Sequence, residues 1–162
     1  MKALYKNYFR KEEEYNPVLK ALQNVPIFNN LSKKELTEVK KLTHERMYRT
    51  EESIFKKMAP SEGMYVIVTG NVNILDPDTG TSFTSLRDND FFGELALLDE
   101  EPRSASAIAK SPSKLIGFFR TDLLTLMKRY PELGNKILLN LSRILGERLR
   151  KTNEELLINP NK

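Results

Sequence analysis

The sequence predicts an α+β fold, mainly β, in which an antiparallel sandwich or roll of short strands carries helices at both ends. Three observations support this. Capping and periodicity signals for helices occupy the N-terminal part, short β-branched and aromatic runs broken by turn residues fill the middle, and two further helical patterns follow. A length of 162 residues, with 40% hydrophobic and 30% charged residues, suits one globular domain with a substantial core.

Residues 1 to 15 carry Tyr5, Tyr8 and Phe9 followed by Glu12 to Glu14, and read equally as a docked helix or a mobile arm. Pro17 suits the first turn of a helix reaching about Gln23. Val25-Pro26-Ile27-Phe28 interrupts, and Ser32-Lys33-Lys34-Glu35 is a capping box leading into Leu36, Val39 and Leu42. From about Leu42 to Phe119 the strand candidates are Met64 to Val68, Val72 to Leu75, Ser82 to Leu86, Ser104 to Ala109 and Leu115 to Phe119. Turn signals at Ala59 to Gly63, Thr69-Gly70-Asn71 and Asp76-Pro77-Asp78-Thr79-Gly80 separate them. Thr121 is then expected to cap a helix through Tyr130, and Pro131 to open a longer one to about Leu157. On that helix Leu138, Leu141, Leu145, Leu149, Thr152 and Leu156 form a seam for another helix, while Leu133, Ile137 and Ile144 face the strands. The bland reading of Thr152 is a threonine tolerated in that seam.

Composition narrows the function classes. Cysteine is absent, which excludes disulfides, thiolate zinc sites and cysteine nucleophiles, and His44 is the only histidine. The expectation is a protein that is not an enzyme and has no metal. No apolar run is long enough for a membrane span, and Lys6 and Arg10 interrupt any signal-peptide core, so the reading is cytoplasmic. The net charge of +4 is unevenly spread: Arg87 to Arg103 holds two cations and six acids, whereas Ser104 onward holds eleven cations and five acids. A basic helix face is more often solvated than a nucleic-acid surface, so a nucleic-acid partner is the less favoured reading.

One stretch breaks the strand pattern. Asp90 to Ser106 places a helix-forming turn, Glu94 to Leu98, between strands and returns to strand with an arginine at its start. Gly93 permits close backbone approach, and the N–H groups of the turn favour an anion. Arg103 offers a planar fork for phosphate oxygens, and Glu94, an acceptor only, suits sugar hydroxyls. The competing reading is a structural salt bridge between Glu94 and Arg103. Asp99-Glu100-Glu101 reads as solvated carboxylates, and Asp76 to Gly80 as a hairpin turn, since the twelfth position of a calcium loop would be Arg87.

Phe92-Gly93-Glu94-Leu95-Ala96-Leu97-Leu98, followed by Pro102-Arg103-Ser104-Ala105-Ser106, resembles the phosphate-binding cassette of the cyclic nucleotide-binding domain family. The resemblance spans about Pro26 to Leu157, and Gly70 matches the glycine between the family's third and fourth strands. It implies an eight-stranded, jelly-roll-like double-stranded β-roll over about 42–120, helices over 121–157, a helical arm over 1–25 and a tail over 158–162. It further implies that Arg103 holds a cyclic phosphate, Glu94 accepts from the ribose 2′-hydroxyl, and backbone groups of Gly93, Leu95 and Ala96 line the cassette. Ser104 would add a phosphate or purine contact. Ile74, Phe83 and Thr84 would flank the base, with Arg148 beside it and Thr152 and Asn153 meeting adenine. The implied ligand is cAMP, with cGMP the competitor.

Where the family has turn glycines, this chain has Thr50-Glu51, Lys57-Met58 and Asn89. Asparagine tolerates a left-handed backbone; the other two pairs put those turn conformations in question. No helix-turn-helix precedes Lys162, so the expectation is a sensor without its own DNA-reading domain, dimeric through the last helix and signalling to an effector protein by movement of that helix. The alternative is a dimeric protein-interaction module that binds no nucleotide.

Overall fold

The computed structural model describes residues 16–158; the readings for residues 1–15 and for the tail past Ile158 lie outside them. Helix α1 (Pro17–Asn24) starts where the Asn16 side chain accepts from the N–H groups of Val18 and Leu19. A 3₁₀ turn, Pro26–Phe28, separates it from α2 (Lys33–Lys40), whose capping box is formed by Ser32 and Glu35.

Eight strands follow among the described residues: β1 (His44–Tyr48), β2 (Ser53–Phe55), β3 (Gly63–Thr69), β4 (Val72–Leu75), β5 (Ser82–Leu86), β6 (Phe91–Phe92), β7 (Ser106–Ala109) and β8 (Ser113–Phe119). They form two antiparallel four-stranded sheets, ordered β1-β8-β3-β6 and β2-β7-β4-β5. Side-chain alternation divides the apolar residues between two cores. On β3 and β8, Met64, Val66, Val68, Ile116 and Phe118 face the helices, while Ile67 and Leu115 face the roll interior with Tyr48, Val72, Phe92, Ala107 and Ala109. The roll predicted from the resemblance is present. The strand expected from Ser104 begins only at Ser106, because Arg103 pairs with a loop instead: its N–H donates to the Ala59 carbonyl and its carbonyl accepts from Met58.

Each turn that lacks a glycine still adopts the left-handed conformation, with φ of 63° at Glu51, 66° at Met58 and 69° at Asn89. For Glu51 and Met58 this costs about 1–2 kcal/mol apiece. The question left by the sequence is thus resolved in favour of the turn geometry, at a local energetic cost.

Helix α3 (Arg120–Arg129) is capped otherwise than expected. Asp122, not Thr121, supplies the acceptor, reaching back to the Phe119 N–H at 2.9 Å. Helix α4 (Pro131–Ile158) opens at Pro131 as predicted and buries Leu133, Ile137, Leu141 and Ile144. Leu141 therefore belongs to the core stripe, not to the outward seam. Leu138 and Leu145 are half-buried, and every residue from Glu147 to Ile158 is exposed. Two polar ties pin the first half of α4. Buried Asn140 donates to the carbonyls of Ile27 (3.1 Å) and Asn29 (2.8 Å), and Lys136 pairs with Glu35 at 2.7 Å, holding that carboxyl below its ordinary pKa.

Candidate functional site

The cassette is a strand, a turn and a loop folded back on themselves. After β6, Gly93 takes a left-handed φ of 75°, and a 3₁₀ turn, Glu94–Leu97, follows. This turn is shorter than the helical segment expected, and its Ala96 N–H closes onto the Gly93 carbonyl at 3.2 Å. A side chain at Gly93 would collide with Arg103, because a Cβ there would lie 2.6 Å from Nη1. The glycine supplies both the backbone conformation and the space for the guanidinium.

Arg103 is 7% exposed, yet among the described residues it forms no ion pair. Its Nη2 donates to the Gly63 carbonyl at 2.6 Å and its Nη1 to the Gly93 carbonyl at 3.2 Å, while the guanidinium lies over the Phe55 ring at 4.2 Å. Its Nε is buried without a hydrogen-bond partner in the protein. Burial pulls its pKa down from the ordinary value, against the opposing fields of Tyr65, Glu62 and Glu94. The structural salt bridge between Glu94 and Arg103 is not formed. Glu94, 3% exposed, instead accepts a hydrogen bond from Arg148 of α4, whose guanidinium also lies 5.2 Å from the Phe91 ring centre.

These groups line a pocket of about 670 Å³ between the second sheet, the cassette and α4. It falls within the ~300–1,000 Å³ typical of small-ligand sites. Of the residues singled out in the sequence, Ile74, Thr84, Gly93, Glu94, Leu95, Ala96, Arg103, Ser104 and Arg148 line it. Phe83, Thr152 and Asn153 do not. The register of β4 against β5 explains the first: Ile74 pairs with Thr84 and Leu75 with Ser82, so Phe83 is the extra residue of a bulge and is exposed. Thr152 and Asn153 lie on the exposed end of α4, a turn or more beyond Arg148.

Sequence reasoning missed Phe55, Ser61 and Phe91. Phe55 is the platform under Arg103, Phe91 lies beneath Arg148, and Ser61 Oγ ties the cassette loop by donating to the Glu101 carbonyl at 2.6 Å. Phe55 ends a three-residue strand too short to show a period, and Ser61 reads only as a turn residue. Among the described residues no group of three or more His, Cys, Asp or Glu side chains is placed to hold a metal ion, and no helix is long and apolar enough to cross a membrane.

The β-roll thus holds one buried guanidinium, unpaired among the described residues, at the edge of a small pocket, an arrangement suited to a small anion. The sequence model of the cyclic nucleotide-binding domain matches residues 45–130, and the chain belongs to that family. It is similar to a cyclic AMP receptor protein of Thermus thermophilus, 30% identical over 83% of this chain and 62% of that protein. It also resembles a cAMP-dependent protein kinase regulatory subunit of Aspergillus fumigatus, 33% identical over 58% of this chain and 23% of that one. The chain thus spans less than two thirds of the length of either. A solved cyclic nucleotide-binding domain from Methylobacillus flagellatus superposes with a TM-score of 0.75 at 25% identity, covering 90% of this chain and 84% of that one.

Proposed function

We propose that the protein is a regulatory sensor of a cyclic nucleotide, cAMP in preference to cGMP. The observation that carries this is Arg103: a cation held in the protein interior with, among the described residues, no anionic partner and no acceptor for its Nε. An unpaired buried charge is costly, and a ligand phosphate removes that cost. In this reading Arg103 holds the cyclic phosphate and Glu94 accepts from the 2′-hydroxyl beside Arg148. Backbone groups of Gly93 and Leu95 and the Ser104 side chain complete the cassette, and Ile74 and Thr84 flank the base. Thr152 and Asn153, toward the end of α4, meet adenine when the helix closes.

The moving part is the half of α4 beyond Ile144. Leu133, Ile137, Leu141 and Ile144 are core residues and Asn140 is pinned, so the helix does not swing as one rod from Pro131. The stripe of Leu138, Leu145, Leu149, Thr152 and Leu156 lies about 100° round the helix from the core stripe, at about 100° per residue. It is the proposed homodimer seam, and ligand-driven rearrangement of its outer part is the signal read by an effector protein.

Isothermal titration of nucleotide-free protein with cAMP and with cGMP tests this. The expected result is saturable binding at micromolar or lower concentration, tighter for cAMP, and weakened at least about tenfold by Arg103→Ala, since a charge-assisted hydrogen bond contributes about 1.5–3 kcal/mol. Arg103→Lys, which keeps the charge without the fork, serves where the alanine variant fails to fold. Absence of heat and of thermal shift with both nucleotides favours the nucleotide-independent dimeric module.

A further inference from the structure

The charges around the pocket are unusual for a site that takes an anion. Three acidic residues, Glu94, Asp99 and Glu101, are among those lining it, with two arginines, Arg103 and Arg148. Glu94 and Arg148 neutralise each other, which leaves one buried cation and two acidic residues of the loop after the 3₁₀ turn around the same pocket. That loop is held in place rather than free. The Asp99 carboxylate accepts from the Glu101 N–H at 3.3 Å, the Glu101 carbonyl accepts from Ser61 Oγ at 2.6 Å, and Glu100 pairs with Arg120 of α3. Glu101 is a lining residue, and its carboxylate forms no hydrogen bond or ion pair among the described residues.

We infer that Asp99 and Glu101 are specificity determinants that select a singly charged phosphate diester and reject phosphate monoesters of the same nucleoside. The inference rests on the proposed nucleotide site and goes beyond it by naming what keeps linear nucleotides out. A cyclic phosphodiester carries one negative charge, which Arg103 matches. A monoester carries about 1.5 to 2 negative charges at neutral pH. Among the described residues lining the pocket its excess charge has no further cation to meet, because Arg148 is already committed to Glu94, and it comes near the acidic residues Asp99 and Glu101 instead. Like charges disfavour each other most where solvent access is restricted, and the pocket wall formed by Phe55, Phe91 and Phe92 limits screening on one side. Net charge at the rim thus separates ligands that the phosphate fork and the base-flanking residues would accept alike.

The test is a double comparison. Affinities for 3′,5′-cAMP and for 5′-AMP are measured on the wild type and on the Asp99→Asn/Glu101→Gln variant, which preserves shape and keeps an acceptor for the Glu101 N–H. Exposed charge pairs each contribute a small factor, so the variant is expected to improve 5′-AMP binding about fivefold more than cAMP binding in low salt. The gap should close near 1 M salt, where the screening length falls to about 3 Å. Glu100→Gln, in the same loop but paired with Arg120 outside the pocket lining, should leave the ratio of the two affinities unchanged. Equal changes for both ligands, a gap insensitive to salt, or an equal effect of Glu100→Gln overturns the inference while leaving the cAMP site standing. Failure of the wild type to bind cAMP overturns the site itself, and the rim's role with it.

Discussion

The floor and the roof of the pocket are built on opposite principles. The floor is largely buried and cross-tied: the Arg103 guanidinium is fixed by the carbonyls of Gly63 and Gly93 and by the Phe55 ring, and its backbone by a loop that meets both its N–H and its carbonyl. The roof is the far half of α4, exposed from Glu147 onward and joined to the floor through Arg148. Recognition needs groups that do not move when the ligand arrives, because every group ordered on binding subtracts from affinity. Response needs the reverse, a segment whose position differs between states at small energetic cost. In the proposed reading the two requirements fall on different elements, which the Arg148–Glu94 ion pair connects.

The largest effect that would break this comparison comes from the floor. Gly93→Ala forces a left-handed alanine and drives the Arg103 fork from its place, so it should weaken cyclic nucleotide binding about 30-fold, the loss of one charge-assisted hydrogen bond of about 2 kcal/mol. Titration calorimetry on the folded variant checks this, and an unchanged affinity would mean that the floor is not preorganised. Next comes the link. Arg148→Ala leaves the buried Glu94 carboxylate without its partner and should lower the stability of the ligand-free protein by about 1 kcal/mol, the low end for an orphaned polar group because the Arg148 side chain is half in solvent. Urea unfolding measures it, and saturating cAMP should recover part of the loss if a ribose hydroxyl takes Arg148's place on Glu94.

The roof should respond differently. Leu149 and Leu156 are 61% and 56% exposed, so Leu149→Asp with Leu156→Asp should leave the stability of the monomer within about 0.5 kcal/mol while abolishing self-association. Sedimentation velocity separates the two quantities. A double variant that associates like the wild type would remove the helix stripe as the dimer seam and leave the roof without a partner.

The same division governs what the sequence reveals. The floor is legible because its chemistry is local: Gly93, Glu94 and Arg103 fall within one short stretch, and each residue type is demanded by its task. β3, β4, β5 and β8 are legible too, since each is a short run with β-branched or aromatic residues set off by turn signals. β1, His44–Tyr48, is not, because only Tyr48 on it is buried and no apolar alternation marks the strand; its place is set by pairing with β8. The platform under Arg103 is hidden for a similar reason, as Phe55 meets the guanidinium only through tertiary folding. On α4 the heptad-like spacing suggests two stripes, but spacing cannot say where the body of the protein ends. Leu141 falls to the core because the 3₁₀ turn Pro26–Phe28, with Ile27 and Phe28 in the same core, packs against the helix there and Asn140 beside it binds that turn's carbonyl.

The smallest effect sharpens the comparison most. Met58 holds a left-handed φ of 66°, is 69% exposed, and donates its N–H to the Arg103 carbonyl at 2.8 Å. Glycine there would relieve about 1–2 kcal/mol of backbone strain but would free the unfolded chain by about 0.4–1 kcal/mol, so Met58→Gly should stabilise the protein by about 0.5–1 kcal/mol. Because the hydrogen bond to Arg103 uses only the backbone, the gain should appear in the unfolding midpoint and leave cAMP affinity unchanged. If affinity rises together with stability, the strained turn at Met58 was opposing the bound geometry of Arg103, and the floor takes part in the response instead of only receiving the ligand.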